Sequence, residues 1–149
     1  MGIIGKNPLF FAYVFPAIAN GVLTLAGQDP SYWKGGAVNE ASPVYYVLQI
    51  SPWLFVLGSA LWLAFWYWAI RKLKEPLNLI MTLLFIIGHA FGSISWIVKI
   101  ISEKEFFRYG NQTTDMIAWC IIIIYFVLIA TVAANCLRRY FRTESLPSG

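Results

Sequence analysis

Four long stretches of apolar residues constrain the fold of this 149-residue chain more than any other feature. A helix needs about 20 mostly apolar residues to cross the hydrocarbon core of a bilayer. The four stretches meet this requirement, and they cover residues 8–27, 44–70, 77–102 and 116–137. The sequence therefore predicts an all-α integral membrane protein, a single domain with four transmembrane helices.

Charged residues are too few to cover a water-exposed surface. They make up 12% of the chain, whereas 59% of the residues are hydrophobic. A soluble domain of average composition carries about 25% charged residues. The surplus apolar surface is therefore expected to face membrane lipids, which are the first predicted partners.

Lysine and arginine are distributed unevenly between the two ends of the predicted helices. One side holds seven of them, namely Lys6, Arg71, Lys72, Lys74, Arg138, Arg139 and Arg142. The other side holds four, namely Lys34, Lys99, Lys104 and Arg108. Cytoplasmic loops of membrane proteins carry the excess of positive charge. The sequence thus predicts a multi-pass protein of the cell membrane, built as two helical hairpins, with both termini cytoplasmic.

The same distribution accounts for the formal net charge of +4. Basic residues that flank transmembrane helices interact with anionic lipid head groups. Nucleic acid is therefore not a predicted partner.

Two prolines and one lysine predict local features of the first three helices. Pro16 predicts a kink in the first helix, because proline removes one backbone hydrogen bond. Ser51-Pro52 predicts a bend in the second helix, and its length predicts a tilt. Lys99 lies near the end of the third helix, where a lysine side chain can extend to the membrane surface.

His89 is the only histidine of the chain and lies near the middle of the third predicted helix. An ionisable residue at this depth is a functional hypothesis by default. Gly88 and Gly92 around it form a Gly-x-x-x-Gly pattern, which allows a second helix or a planar ligand to approach the backbone. The same helical face carries three more residues that are polar or aromatic, Thr82, Ser93 and Trp96.

Three roles for His89 remain open from the sequence. A neutral imidazole can hydrogen-bond to an adjacent helix. It can also be the axial ligand of a haem iron or a chlorophyll magnesium, with a second haem ligand supplied by another subunit because the chain has one histidine. The third role is movement of protons or solutes. The candidate residues for binding a cofactor or a lipid are His89, Gly88, Gly92 and Trp96.

Two further helices carry polar residues at helical spacing. Tyr13, Asn20 and Thr24 line up on the first helix, and Thr131 and Asn135 lie four residues apart on the fourth. Such residues allow close packing and hydrogen bonds between helices, at about 0.5–2 kcal/mol each. Together with Thr82 and Ser93, they are expected to form the inner polar surfaces of a four-helix bundle.

Several classes of function lack the residues that they need. No aspartate or glutamate lies within the four apolar stretches, so the carboxylate of a typical small cation-coupled exporter is missing. Cys120 and Cys136 lie on one predicted helix, about 24 Å apart at 1.5 Å rise per residue, and cannot form a structural zinc site with one histidine. No groups with complementary acid–base roles converge, so no enzyme activity and no metal site are predicted.

The order Asn20-x3-Thr24, then Gly27, then Asn39-Glu40-x-Ser42-Pro43, resembles a pattern in small prokaryotic membrane proteins of unknown function. In that family an Asp or Asn and a Thr on the first helix precede an outer Glu-x-Asn-Pro. Here Asn20 stands where Asp is commoner, and Ser42 stands where Asn is expected. The resemblance implies four helices and a polar cluster of Asn20, Thr24 and Glu40 near the outer face. It implies no activity.

The leading hypothesis from the sequence is a small accessory or structural subunit of a larger membrane complex. Its basis is the lack of a catalytic constellation, together with helix faces rich in aromatic and small residues. The alternatives are a protein that binds a cofactor or a lipid around His89, and a small-solute carrier that uses Asn20, Thr24 and His89. The expected partners are other membrane subunits or further copies of the chain.

Overall fold

The computed structural model describes residues 6–40, 42–103 and 112–144. All regular structure in these ranges is helical. Five α-helices follow one another along the chain: α1 (Pro8–Ala26), α2 (Tyr45–Ile50), α3 (Pro52–Lys72), α4 (Leu77–Glu103) and α5 (Gln112–Glu144). A short 3-10 helix, Tyr32–Lys34, lies between α1 and α2. The connection formed by residues 104–111 lies outside the described ranges.

Four of the helices are long and apolar enough to cross a membrane. Their candidate spans are Pro8–Ala26, Pro52–Lys72, Leu77–Ile101 and Met116–Arg142. The prediction of an all-α chain with four such helices is therefore confirmed. The side of the membrane on which each end lies stays a prediction.

The second predicted span, residues 44–70, is divided into two helices instead of one bent helix. Ser51 has extended backbone angles (φ −171°, ψ 138°) and separates α2 from α3. Its hydroxyl oxygen accepts a hydrogen bond from the Trp53 amide at 3.1 Å and caps α3. Pro52 occupies the first turn of α3, where its missing amide hydrogen costs nothing. The prediction of a continuous helix is wrong here, because cap and proline together start a new helix.

Helix α1 forms the centre of the bundle. It packs mainly against α4 and α5, and less against α3. Asn7 starts this helix, since its side-chain oxygen accepts from the Phe10 amide. Seven residues of α1 are buried: Pro8, Leu9, Phe10, Ala12, Tyr13, Pro16 and Thr24. Helix α3, in contrast, buries only Ala69 and Ile70 and leaves most of its apolar surface exposed.

Side-chain hydrogen bonds join the helices at both ends of the bundle. The Asn7 amide donates to the Tyr67 carbonyl at 2.9 Å, which joins the start of α1 to the end of α3. The Asn78 amide donates to the Tyr140 hydroxyl at 3.0 Å, and this hydroxyl donates to Glu75 at 2.7 Å. The start of α4 thus contacts the end of α5. At the opposite end, Lys99 of α4 contacts the residues that follow α1.

Candidate functional site

His89 lies inside the bundle, between α4 and α1. Its ring nitrogen Nδ1 is 3.4 Å from the side-chain nitrogen of Asn20. The ring of Tyr13 is stacked on the imidazole with 6.5 Å between centroids and 14° between planes. Phe85, one turn earlier on α4, packs against both rings. The structure therefore brings Tyr13 and Asn20 of α1 together with His89 of α4.

Asn20 also fills the space above Gly92. A β-carbon added to Gly92 would lie 2.8 Å from the side-chain oxygen of Asn20 and 3.1 Å from its nitrogen. A real β-carbon essentially never approaches a polar atom so closely, so the glycine makes room for the amide. Of the two glycines in the Gly-x-x-x-Gly pattern, Gly92 thus allows the close approach of α1.

Gly88, the other glycine of this pattern, faces outward, and a β-carbon there would meet nothing within 4 Å. Gly88 and Gly92 therefore do not form a common platform beside His89. A haem or chlorophyll ring lying across both glycines does not fit this arrangement, because Asn20 already occupies the surface of Gly92. The interpretation of His89 as the axial ligand of such a ring gains no support from the packing.

The remaining polar residues of α4 satisfy their hydroxyls within their own helix. Ser93 donates to the His89 carbonyl and Thr82 to the Asn78 carbonyl, both at 2.8 Å. Both side chains are fully buried. Such back-bonding meets the need of the hydroxyl without a neighbouring helix. The predicted stripe of Thr82, His89 and Ser93 does face the interior, and His89 contacts Asn20 of α1.

Trp96 is buried toward the C-terminal end of α4, against the turn that follows α1. A β-carbon added to Gly27 would overlap the Trp96 ring. Lys99 lies 5.3 Å from the centre of the same ring and donates to the Gly27 carbonyl at 2.7 Å. It also forms an ion pair with Asp29 at 3.2 Å. These contacts neutralise the negative end of α1, and they pack Trp96 against the turn that follows α1.

The three residues of the resemblance to small prokaryotic membrane proteins bond to other groups. Asn20 contacts His89, and the Thr24 carbonyl accepts from Gln28 at 3.1 Å. The Glu40 carboxylate accepts from the Ser42 amide at 2.9 Å. Within the described part of the chain, no hydrogen bond joins Asn20, Thr24 and Glu40 to one another. The polar cluster that the resemblance implies therefore stays a hypothesis.

The polar pair on α5 lies on the outside. Thr131 and Asn135 are both exposed, as are Ala130 and Ala134, which directly precede them. Thr131 donates to the Val127 carbonyl of its own helix at 2.7 Å. The expectation that this pair lines the inside of the bundle is not met, because α5 turns Ala133 and Cys136 inward instead.

Several residues of the interior were not singled out from the sequence. Trp66 of α3 packs on Phe85 with 4.5 Å between ring centroids. The Ser93 hydroxyl interacts with the phenol of Tyr125 of α5. Polar residues of α1 and α4 pointed to this region, but aromatic residues are common on every helix and gave no signal of their own. Besides Tyr13 and Asn20, which the spacing on α1 indicated, the partly buried Trp66 also lies in the region of His89.

An apolar groove of about 350 Å³ runs along the outer surface between α4 and α5. Its lining consists of Ile86, Ile87, Ala90, Phe91, Ile94, Phe126, Ile129, Ala130 and Ala133. His89 does not contribute to it. The groove and the interior around His89 are thus two separate features of α4.

Metal ligands do not cluster in the described ranges: no group of three or more His, Cys, Asp or Glu side chains is found there. What the site offers chemically is neutral hydrogen bonding between aromatic walls. Comparison with known proteins identifies no matching family, no similar curated protein and no similar solved structure.

Proposed function

We propose that this chain is a small structural subunit of a larger assembly in the cell membrane, where a transmembrane helix of a partner subunit packs on α5. The observation that carries this proposal is the outward face of α5. Ala130, Thr131, Ala134 and Asn135 follow one another at helical spacing there, and all four are exposed.

Lipid chains are as apolar as leucine, so burial of apolar side chains does not drive helices together in a membrane. Association depends on close backbone approach and on hydrogen bonds between helices. Ala130 and Ala134, four residues apart, allow the first. The carboxamide of Asn135 offers the second, and it gains a partner that lipid does not provide. The face therefore has the chemistry of a helix–helix contact.

The groove between α4 and α5 supports the same occupant. Ala130 belongs both to the exposed face of α5 and to the lining of the groove. A helix on this face therefore finds a shallow apolar channel beside it, in which one row of its side chains can lie. Ridges of one helix packing between residues of its neighbour are the general mode of helix contact.

The proposed arrangement in the membrane is two hairpins with both termini cytoplasmic. The contacts of Asn7 with Tyr67 and of Asn78 with Tyr140 support it, since they join the start of α1 to the end of α3 and the start of α4 to the end of α5. All seven basic residues of the predicted cytoplasmic side flank these helix ends. The end that carries Lys99 and Asp29 would then face outward.

Reporter fusions test this orientation. A phosphatase that is active only outside the cytoplasm, fused after residue 35 or after residue 149, is expected to be active at the first position and inactive at the second. A fluorescent protein that folds only in the cytoplasm should give the opposite pattern. Activity of the phosphatase at residue 149 would contradict the proposed orientation.

Substitution of the small residues on α5 tests the proposed function. Purification of the chain in mild detergent should yield a particle larger than the chain with its detergent, containing a reproducible second protein. Ala134→Leu is expected to reduce recovery of that protein at least about tenfold, because a loss of about 1.4 kcal/mol of contact energy already has this effect. The folded chain itself should be unaffected, since Ala134 is exposed.

Ala60→Leu is the matched control, because Ala60 is an exposed alanine on α3. The substitution adds the same volume on a helix face that is not part of the proposed contact. It should leave recovery of the partner unchanged. If the particle contains only copies of this chain and Ala134→Leu dissociates it, the occupant of this face is a second copy of the chain and not a different subunit. A monomer in mild detergent, or equal recovery with both variants, would refute the role of this face.

A further inference from the structure

Three buried polar atoms near His89 have no hydrogen-bond partner within the described chain. They are the hydroxyl oxygen of Tyr13, the side-chain oxygen of Asn20 and the indole nitrogen of Trp66. We propose that these residues, together called the His89 cluster, bind water molecules inside the bundle, at the depth of the hydrocarbon core. This inference is independent of the proposed partner on α5.

The members of the His89 cluster are linked through contacts to one histidine. Asn20 and Tyr13 contact His89 directly. Trp66 reaches it through Phe85, which packs on both rings. Helices α1, α3 and α4 thus each contribute to one region.

Burial of a polar group costs free energy when the group loses its hydrogen bonds to water and gains no partner in the protein. Tyr13 is 0% exposed, its ring packs on Phe10, Phe85 and the histidine, and its hydroxyl is buried. Native proteins satisfy almost all buried polar atoms, and ordered water serves those that the chain does not reach. In a membrane no external water compensates for such atoms. Several unmet atoms in one region therefore indicate an internal ligand.

The charge of that ligand follows from the residues around it. The apolar stretches 8–26, 52–70, 77–98 and 116–137 contain no Asp, Glu, Lys or Arg. An ion at this depth would have no counter-charge, which is costly in a membrane interior. The ligand is therefore neutral.

Its size and hydrogen bonding identify it further. The groove between α4 and α5 is lined without any member of the His89 cluster, and Asn20 fills the space above Gly92. A large planar ring thus does not fit against the face of this helix that carries His89 and Gly92. The Trp66 nitrogen only donates, the Asn20 oxygen only accepts, and a tyrosine hydroxyl does both. A small molecule that both donates and accepts fits this set, and water is the molecule with these properties that every membrane protein encounters.

The sign of the stability change in Tyr13→Phe tests the proposal on the purified full chain. An unmet hydroxyl destabilises the folded state, so its removal would raise stability; a hydroxyl bonded to water contributes, so its removal lowers stability. We expect Tyr13→Phe to reduce the folding equilibrium constant about fivefold, which corresponds to one hydrogen bond. Unchanged or increased stability would overturn the proposal.

Tyr32→Phe calibrates the measurement, because the Tyr32 hydroxyl is buried and donates to the Leu48 carbonyl at 3.0 Å. Its loss should be of similar size. The measurement is repeated after gel filtration into buffer free of small organic solutes. If the effect of Tyr13→Phe persists, the ligand is water; if it disappears, a retained polar solute occupies the cluster and the assignment to water is wrong.

Radiolytic hydroxyl labelling gives a second readout that does not depend on folding equilibria. X-rays generate hydroxyl radicals from bound water, which oxidise adjacent side chains. Tyr13 is expected to be oxidised well above its buried neighbour Phe10, whose ring centre lies 5.3 Å away. Oxidation of Tyr13 only at the level of Phe10 would contradict water in the cluster.

Discussion

Replacement of Tyr13 with alanine is expected to lower the free energy of unfolding by about 2–4 kcal/mol. The side chain is fully buried at the contact of α1 with α4, where it packs on Phe10, Phe85 and His89. Removal of an aromatic ring from the core of a soluble protein costs about 3–5 kcal/mol, part of which is transfer of the ring from water. In a membrane the unfolded helices remain in lipid, so mainly the packing part is lost.

Unfolding of the purified chain by sodium dodecyl sulphate, added to mixed micelles and followed by circular dichroism, measures this loss. Tyr46→Ala is the control, because Tyr46 is a tyrosine that is 72% exposed. It should change stability by less than about 0.5 kcal/mol. The difference between Tyr13→Ala and Tyr13→Phe then separates the contribution of the ring from that of the hydroxyl. Equal effects of Tyr13→Ala and Tyr46→Ala would show that α1 does not pack as described.

Gly27→Ala is expected to lower the free energy of unfolding by about 1–3 kcal/mol, the usual cost of an oversized residue in a packed site. The added β-carbon overlaps the Trp96 ring, and it would also lie 3.1 Å from the Leu23 carbonyl oxygen. The ring is buried, so it moves only together with α4. Lys99 binds the Gly27 carbonyl and lies over this ring, so the displacement also disturbs the ion pair with Asp29.

Gly58→Ala on α3 provides the matched control, since a β-carbon there meets nothing within 4 Å. It should be neutral, or stabilising by up to about 1 kcal/mol because alanine favours a helix. The double variant Gly27→Ala/Trp96→Leu should be less destabilised than the sum of the two single variants, by about 1 kcal/mol or more. Strict additivity would mean that the two side chains do not touch.

Much of the architecture could be predicted because lipid imposes a simple rule on the chain. A segment that crosses the hydrocarbon core must satisfy its backbone within itself, so long apolar stretches predict helices. Helix α1 ends within one residue of its predicted boundary at Gly27. The exception is the segment 44–70. Its apolar residues run on across Ser51, so hydropathy does not show that the helix is interrupted there. The capping serine before Pro52 was visible in the sequence, but its side-chain hydrogen bond depends on the extended conformation of Ser51.

The partners of the polar residues were harder to predict. Helical spacing showed correctly that Asn20 and His89 stand out on their own helices, and the structure joins them at 3.4 Å. It also grouped Gly88 with Gly92, although residues four apart diverge enough for one to face α1 and the other to face outward. Thr131 and Asn135 satisfy the same spacing rule on α5 and lie outside. Spacing identifies a face of a helix, and only the neighbouring helices decide which face is inside.

The central position of α1 has a consequence for the order in which the protein is made. Ribosomes deliver the chain in the order of its sequence, so α1 is synthesised before α3, α4 and α5. Its main neighbours are α4 and α5, which also follow α3. Until they arrive, Tyr13 and Asn20 face lipid or an insertion factor without their final contacts. The contacts that bury α1 therefore form only after α4 and α5 have been synthesised.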